Sequence, residues 1–184
     1  MDLKRITPSK LLWLDLEMTG LVATQDRIVE VGAIITDWNF KELESFESGV
    51  GQNPQEIESL IAANKFFETV PQNKQKFMEL VTTSPDEKAV EAQLLELVDR
   101  HFAADEPVLL AGNSIHMDRQ FIRQWWPNLE KRLHYRMLDV SAWKVVMQGK
   151  YEVTFDKAEA HRALSDIRES IAELEYYLRW FGQK

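Results

Sequence analysis

The sequence predicts an α/β fold, a mixed five-stranded sheet with helices on both faces, three layers in all. Three observations lead there. Residues 11–49 hold three successive strand-like runs, the next hundred residues alternate helix-like and strand-like segments, and the last segment repeats apolar residues at helical spacing. The 184 residues, with only 7 Gly and 6 Pro, suit one globular domain over 1–184 with a core over about 10–180.

Leu11–Met18 reads as the first strand, with a turn at Thr19-Gly20. Ile28–Thr36, rich in β-branched residues, is the second, and the weakly alternating Lys41–Gly49 is an edge-like third. Asn53-Pro54-Gln55-Glu56 and Ser84-Pro85-Asp86-Glu87 each set a capping residue before a proline at the first helical position and a Glu at the third, predicting two helix starts. Val90, Leu94, Leu97 and Val98 form an apolar stripe behind the second start, while residues 64–77 are helical but poorly patterned. Val108–Ile115 reads as a buried strand running into Gly112-Asn113-Ser114, Met117–Trp126 as a helix stopped by Pro127, and Met137–Val140 as a short strand. From Leu164 the series Leu164, Ile167, Ile171, Leu174, Leu178, Phe181 steps by threes and fours, an amphipathic helix.

With no cysteine, disulfides, thiolate zinc sites, iron–sulfur clusters and thiol catalysis are excluded, and a reducing, cytoplasmic location is expected. No run has the length of a signal core or a membrane span. The 30 acidic and 22 basic residues give a net charge of −8, a poor basis for gripping long nucleic acid.

Period two puts Leu12, Leu14, Leu16 and Met18 on one face of the first strand and Leu11, Trp13, Asp15 and Glu17 on the other. Two carboxylates so placed stand about 7 Å apart, close enough to hold metal ions in one site and to repel each other without a cation between them. Alone, such a pair is equally what an exposed strand end carries. Asp118, just past Gly112-Asn113-Ser114, and Asp166, at the start of the last helix, are the acids that would join it; each also reads as a residue complementing a helix dipole. His161 precedes Asp166 by five residues, about 140° around a continuous helix, so a shared site requires His161 on the entering loop or in the first turn. Hard oxygen ligands without thiols select Mg²⁺ or Mn²⁺. Two such ions clamp a phosphodiester, and a neutral His is suited to take the proton of the attacking water. The chemistry predicted is phosphodiester hydrolysis.

Leu14-Asp15-Leu16-Glu17-Met18-Thr19-Gly20-Leu21, Ala111-Gly112-Asn113-Ser114-Ile115-His116-Met117-Asp118-Arg119, Tyr135-Arg136-Met137-Leu138-Asp139-Val140-Ser141 and His161-Arg162-Ala163-Leu164-Ser165-Asp166-Ile167-Arg168-Glu169-Ser170 together resemble, in order and at compatible spacing, the motifs of the oligoribonuclease family. These are exonucleases of the DEDD superfamily with the histidine variant of the last motif. The resemblance implies an RNase H-like fold, a homodimer, two divalent cations, Mg²⁺ or Mn²⁺, and 3′-to-5′ hydrolysis of very short RNA, dinucleotides above all, to nucleoside 5′-monophosphates. By position it implies Asp15, Glu17, Asp118 and Asp166 as metal ligands, His161 as general base, and Leu21 as an apolar wedge against a base. It further implies Ser114, Arg136 and Ser141 as a cap on the 5′-phosphate, with Arg136 and Ser141 reaching across the dimer, and Tyr135 supplied to the active site across it as well. The arginine fork suits a phosphate.

Asp139 follows an apolar run as a ligand would, yet the family pattern gives the third acid to Asp118 and leaves Asp139 a structural role. Where the family carries a stacking Trp and, a few residues on, a His, this chain reads Lys65-Phe66-Phe67-Glu68-Thr69-Val70-Pro71-Gln72; Phe67 is the replacement ring, and no His stands there. His116-Met117 replaces Gly-Gln, and Ser165 stands where Asp is common. These departures fall on substrate contacts, not on metal ligands.

Two other readings stay open. A general exonuclease on longer single strands needs an open basic track, and residues 116–136 hold Arg119, Arg123, Lys131, Arg132 and Arg136 against Asp118 and Glu130, enough for one or two phosphates or simply a solvated helix face. A non-catalytic module capturing a dinucleotide would have lost an acid or the His, and all five are present. No membrane association and no protein partner beyond a second copy are inferred.

Overall fold

A computed structural model describes residues 8–69, 71–156 and 163–182. Strands β1 (Leu11–Met18), β2 (Ile28–Thr36), β3 (Glu42–Gly49), β4 (Val108–Gly112) and β5 (Leu133–Asp139) form one sheet in the order β3-β2-β1-β4-β5. β2 runs antiparallel to β1 and β3, and β4 runs parallel to β1 and β5, so the sheet is mixed as expected. The helices among the described residues are α1 (Pro54–Ala63), α2 (Phe66–Thr69), α3 (Pro71–Thr83), α4 (Glu87–His101), α5 (His116–Trp125), α6 (Pro127–Arg132), α7 (Val140–Tyr151) and α8 (Ala163–Gly182).

The alternation along β1 sorts its residues between two cores. Leu12, Leu14 and Leu16 join a cluster with Val90, Leu94 and Leu97 of α4 and Phe121 and Ile122 of α5. Leu11 and Trp13 join Ile167, Ile171 and Leu174 of α8 on the opposite face, and the Trp13 indole N–H donates to Thr36 Oγ1 at 3.0 Å within that interior. A third apolar cluster, Val29 with Ile57, Ile61, Phe67, Phe77 and Val81, packs α1, α2 and α3 beside β2.

Local signals explain most boundaries, with instructive exceptions. Asn53 caps α1, its side chain accepting from the Gln55 and Glu56 N–H groups. The expected cap at Ser84 gives way to Asp86, which accepts from the Ala89 N–H. Gly51 N–H donates to the Pro85 carbonyl at 2.7 Å and pairs with Asp86, which is extended, so the helix starts at Glu87. Pro127 ends α5 as expected but also opens α6, at the first-turn position where its missing N–H costs nothing. The poorly patterned 64–77 stretch divides into α2 and the start of α3. The last strand begins at Leu133 rather than Met137, and α7, which the pattern did not reveal, follows it with only Val140 and Met147 buried.

Gly32 of β2 lies opposite Asp15 of β1. A Cβ there would sit 2.8 Å from Ala163 Cβ and 3.1 Å from the Leu164 nitrogen, so the bare backbone lets the start of α8 settle onto the sheet. Gly32→Ala is expected to lower the unfolding free energy by about 1–3 kcal/mol in urea titration and to weaken Mn²⁺ binding by calorimetry, because it lifts the turn that carries Asp166; a variant unchanged in both measurements would show that the contact does not constrain the helix.

Candidate active site

The face of β1 that packs under α8 ends in Asp15 and Glu17, and the first turn of α8 brings Asp166 over them. One carboxylate oxygen from each of these three residues lies within 4.8 Å of the others. Asp118, in the first turn of α5, stands outside that group. It is buried, and its Oδ1 accepts the Leu16 N–H at 2.9 Å. The parallel pairing of β1 with β4 stops at Trp13 and Ala111, so Asp118 takes the backbone donor that the strand has left. His161 lies outside the described residues.

Burial and crowding dominate the electrostatics. Burial first, then the charges of Asp118, Glu17, Asp166 and Glu30, push the Asp15 carboxyl up to about 9. Burial lifts Asp118 to about 7, against the opposing pull of the Leu16 N–H. Glu30, opposite Glu17 on β2, is buried as well and is neutralised by Lys76 Nζ at 2.5 Å. Carboxylates packed this way keep protons unless a cation replaces them. An all-oxygen, strongly anionic donor set fits a hard divalent ion.

Beside the acids opens a cavity of about 700 Å³ lined by Glu17, Met18, Leu21, Asn64, Phe66 and Phe67 among others. Leu21 is 71% exposed at its rim. Its loop is held by Asp26, whose carboxylate accepts the Val22 N–H at 2.8 Å and the Thr19 hydroxyl at 3.1 Å, and whose carbonyl accepts the Trp125 indole N–H. At Gly20 a Cβ would lie 2.5 Å from that carboxylate, so any larger residue would displace the Asp26 side chain from the loop. Phe67, the ring expected to stack on a base, lines the cavity but is only 5% exposed, wedged edge-on against Phe77 in the third core. Its neighbour Phe66, packed edge-on against Phe67, is the more exposed of the two rings at 56%. Asn64 fixes both: its side chain donates to the Thr19 carbonyl and accepts from the Phe66 N–H. Phe66 and Asn64 escaped the sequence reading because two adjacent rings carry no signal of which one is buried.

On the other side of the acids, Ser114 and Ser141 stand together, their hydroxyl oxygens 3.0 Å apart. Ser141 was expected to act across a dimer. Within one chain it already meets Ser114, because β4 and β5 are parallel neighbours with Gly112 opposite Asp139 and their outgoing loops leave side by side. Asp139 has the structural role expected of it, Oδ1 accepting both the Ser141 N–H that opens α7 and the Ser114 N–H. Tyr135 and Arg136 are exposed on β5, the guanidinium 5.3 Å from the ring centre. The rest of the basic cluster is largely engaged: Arg119 is buried on Glu130 and the His134 carbonyl, Arg123 also meets Glu130, and Arg132 meets Asp99.

An exonuclease family model, RNase_T, matches residues 12–174. Proteins named oligoribonuclease are similar over most of the chain: that of Corynebacterium diphtheriae is 39% identical, covering 92% of this chain and 82% of its own, and that of Francisella tularensis is 37% identical, covering 91% and 93%. Among solved structures, E. coli exonuclease I in a complex with single-stranded DNA superposes with a TM-score of 0.62 at 16% identity, over 92% of this chain and 40% of that one. Exonuclease I from Methylocaldum szegediense gives 0.60 at 19%, again over 92% and 40%. This chain therefore spans about two fifths of those exonuclease I chains, and the likeness to them is one of fold.

The raised carboxyls set a pH dependence. Between about pH 4 and 9 the folded chain holds the Asp15 proton that the unfolded chain has released, and Asp118 does the same up to about 7, so the metal-free fold loses stability as pH rises through this window. Its melting temperature is expected to fall from pH 5 to pH 9, while saturating Mn²⁺ raises it more at pH 8.5 than at pH 6. An equal Mn²⁺ increment at both values would exclude Asp15 and Asp118 from cation binding.

Proposed function

This chain belongs to the oligoribonuclease family of exonucleases, and from that premise we propose that it hydrolyses very short RNA, dinucleotides above all, from the 3′ end to nucleoside 5′-monophosphates. The observation that carries the reading is the convergence of Asp15, Glu17 and Asp166 within 4.8 Å, beside a cavity rimmed by an exposed leucine and an exposed ring.

Asp15, Glu17, Asp118 and Asp166 are the residues that would hold two Mg²⁺ or Mn²⁺ ions. Such ions supply charge stabilisation on the phosphodiester and a more acidic attacking water. Asp15, pushed up by burial and by the charges of Asp118, Glu17 and Asp166, is the acid that would gain most from such a cation. The chain does the rest. Leu21 and Phe66 hold a base between them, Ser114 and Arg136 bind a terminal phosphate, and His161 takes the water's proton as general base. A dinucleotide fills this arrangement, since the cations that would track a longer strand are spent on Glu130 and Asp99.

The active unit of this reading is a homodimer. β5 is an edge strand with Tyr135 and Arg136 outward, and the adjoining α7 exposes Val145 and Val146, at 70% and 48%, an apolar surface that a second copy would cover while receiving Tyr135 and Arg136. A cytoplasmic setting suits a chain without cysteine. Among the described residues no helix is long and apolar enough to cross a membrane.

Purified protein with Mn²⁺ is expected to cleave a 5′-labelled RNA dinucleotide faster than an RNA or DNA 20-mer at equal concentration, and Asp15→Ala to reduce turnover by about a hundredfold or more; faster cleavage of the 20-mers would replace this reading with that of a general single-strand exonuclease, and dinucleotide binding without cleavage with that of a capture module. Light scattering is expected to give twice the chain mass for the wild type and a smaller mass for Val145→Glu with Val146→Glu. A wild-type monomer with full activity would remove the dimer from the mechanism.

A further inference from the structure

The first half of β5 breaks the alternation expected of a strand. Leu133 pairs with Val108 of β4 and Met137 with Leu110, so His134, Tyr135 and Arg136 stand where β4 supplies Leu109 alone. This is a bulge, the device that re-aims side chains at a sheet edge. Leu133 and Met137 both pack in the first core, and by period two Tyr135 between them would face it too. Instead Tyr135 is 63% exposed, the adjacent Arg136 is exposed as well, and its guanidinium lies 5.3 Å from the Tyr135 ring centre.

Side chains serve the backbone groups of the bulge. The His134 carbonyl accepts from Arg119 Nη1 at 2.6 Å, and Arg119, itself buried, is fixed by both carboxylate oxygens of Glu130 at 3.1 and 3.2 Å. The Arg136 N–H donates to His134 Nδ1 at 3.1 Å, two residues back along the chain. The imidazole can accept only while Nδ1 carries no proton, which puts the ring proton on Nε2. Burial, then the charges of Arg136 and Arg119, push the His134 imidazole down from its usual range and keep it in that form. Nε2 is buried without a hydrogen-bond partner among the described residues, so Nδ1 is the atom through which the ring acts.

We infer that His134, its carbonyl clamped by Arg119, is a positioning residue whose Nδ1 holds this bulge and thereby presents Tyr135 and Arg136 together to the active site of a second copy. The inference rests on the homodimer proposed above, in which both residues are received across the interface. The need for such a device is physical. β5 is an edge strand with a hydrogen-bonded neighbour on one side only, so no second strand sets the direction of its backbone. Arg119 of α5 and the His134 ring take that place. Two long, exposed side chains then arrive in a fixed direction instead of paying for their order when the substrate binds.

The test reads turnover of the RNA dinucleotide ApA with Mn²⁺. His134→Phe, which keeps a ring and removes the acceptor, is expected to lower kcat about tenfold or more, whereas His134→Asn, whose amide oxygen reaches the place of Nδ1, stays within about threefold of the wild type. Heterodimers purified through two different tags separate positioning from folding. When a His134→Phe chain is paired with an Asp15→Ala chain, the intact carboxylates of the first receive the intact bulge of the second, one site in two works, and turnover returns to about half that of the wild type. A Tyr135→Ala chain paired with the same Asp15→Ala chain is the control and is expected to behave alike. An inactive control would remove delivery across the dimer, and the inference with it. With an active control, His134→Phe at wild-type turnover, His134→Asn as impaired as His134→Phe, or a His134→Phe heterodimer that is inactive or does not assemble would each overturn the inference and leave the dimer reading standing.

Discussion

Everything in this fold is arranged around carboxylates that repel one another at the half-buried end of one strand. Asp15, Glu17 and Asp166 share a space of 4.8 Å, with Asp118 and Glu30 acting on the same centre. In water such a group would spread apart. Here β1 is the central strand, clamped between α4 and α5 on one face and α8 on the other, so its acids cannot move away. Lys76 neutralises Glu30, and the Leu16 N–H holds Asp118 in place. The repulsion that remains is relieved by protons or by cations.

The sequence made legible whatever depends on period and punctuation. The alternation in Leu11–Met18 assigned both faces of β1 correctly, and Asn53 announced α1 because a cap is a local device. What failed depended on partners distant in the chain. Ser84 lost the capping role to Asp86 because Gly51, more than thirty residues away, draws the Pro85 carbonyl into a bridge. α7 hid because its apolar residues face outward as well as inward, Val145 and Val146 being exposed and only Val140 and Met147 buried. The candidate ligands were suggested by the order of motifs, but the contacts that place them, Gly32 under Ala163 for the turn of Asp166 and a strand N–H for Asp118, are written in no motif.

Charge takes on meaning only when its partners are known. A net −8 argued against nucleic acid, and the Arg119 to Arg136 cluster argued mildly for it. The fold reconciles the two. Arg119, buried, and Arg123 and Arg132 nearer the surface are paired with Glu130 and Asp99, while Arg136 is exposed on an edge strand. Affinity for a polymer accumulates phosphate by phosphate, and a surface whose arginines are paired in this way presents no continuous basic line among the described residues.

The third apolar cluster divides the molecule in another sense. Val29, Ile57, Ile61, Phe67, Phe77 and Val81 give the segment that carries Phe66 a core of its own, separate from the two cores that brace the carboxylates. Substitutions distant from one another tend to act additively. Substitutions within this third core, Lys76 with its ion pair to Glu30 apart, therefore act on the segment that lines the cavity more than on the carboxylates. The shape of the cavity wall and the placement of the acids thus rest on different cores, and the cavity-lining segment is where an engineer would begin.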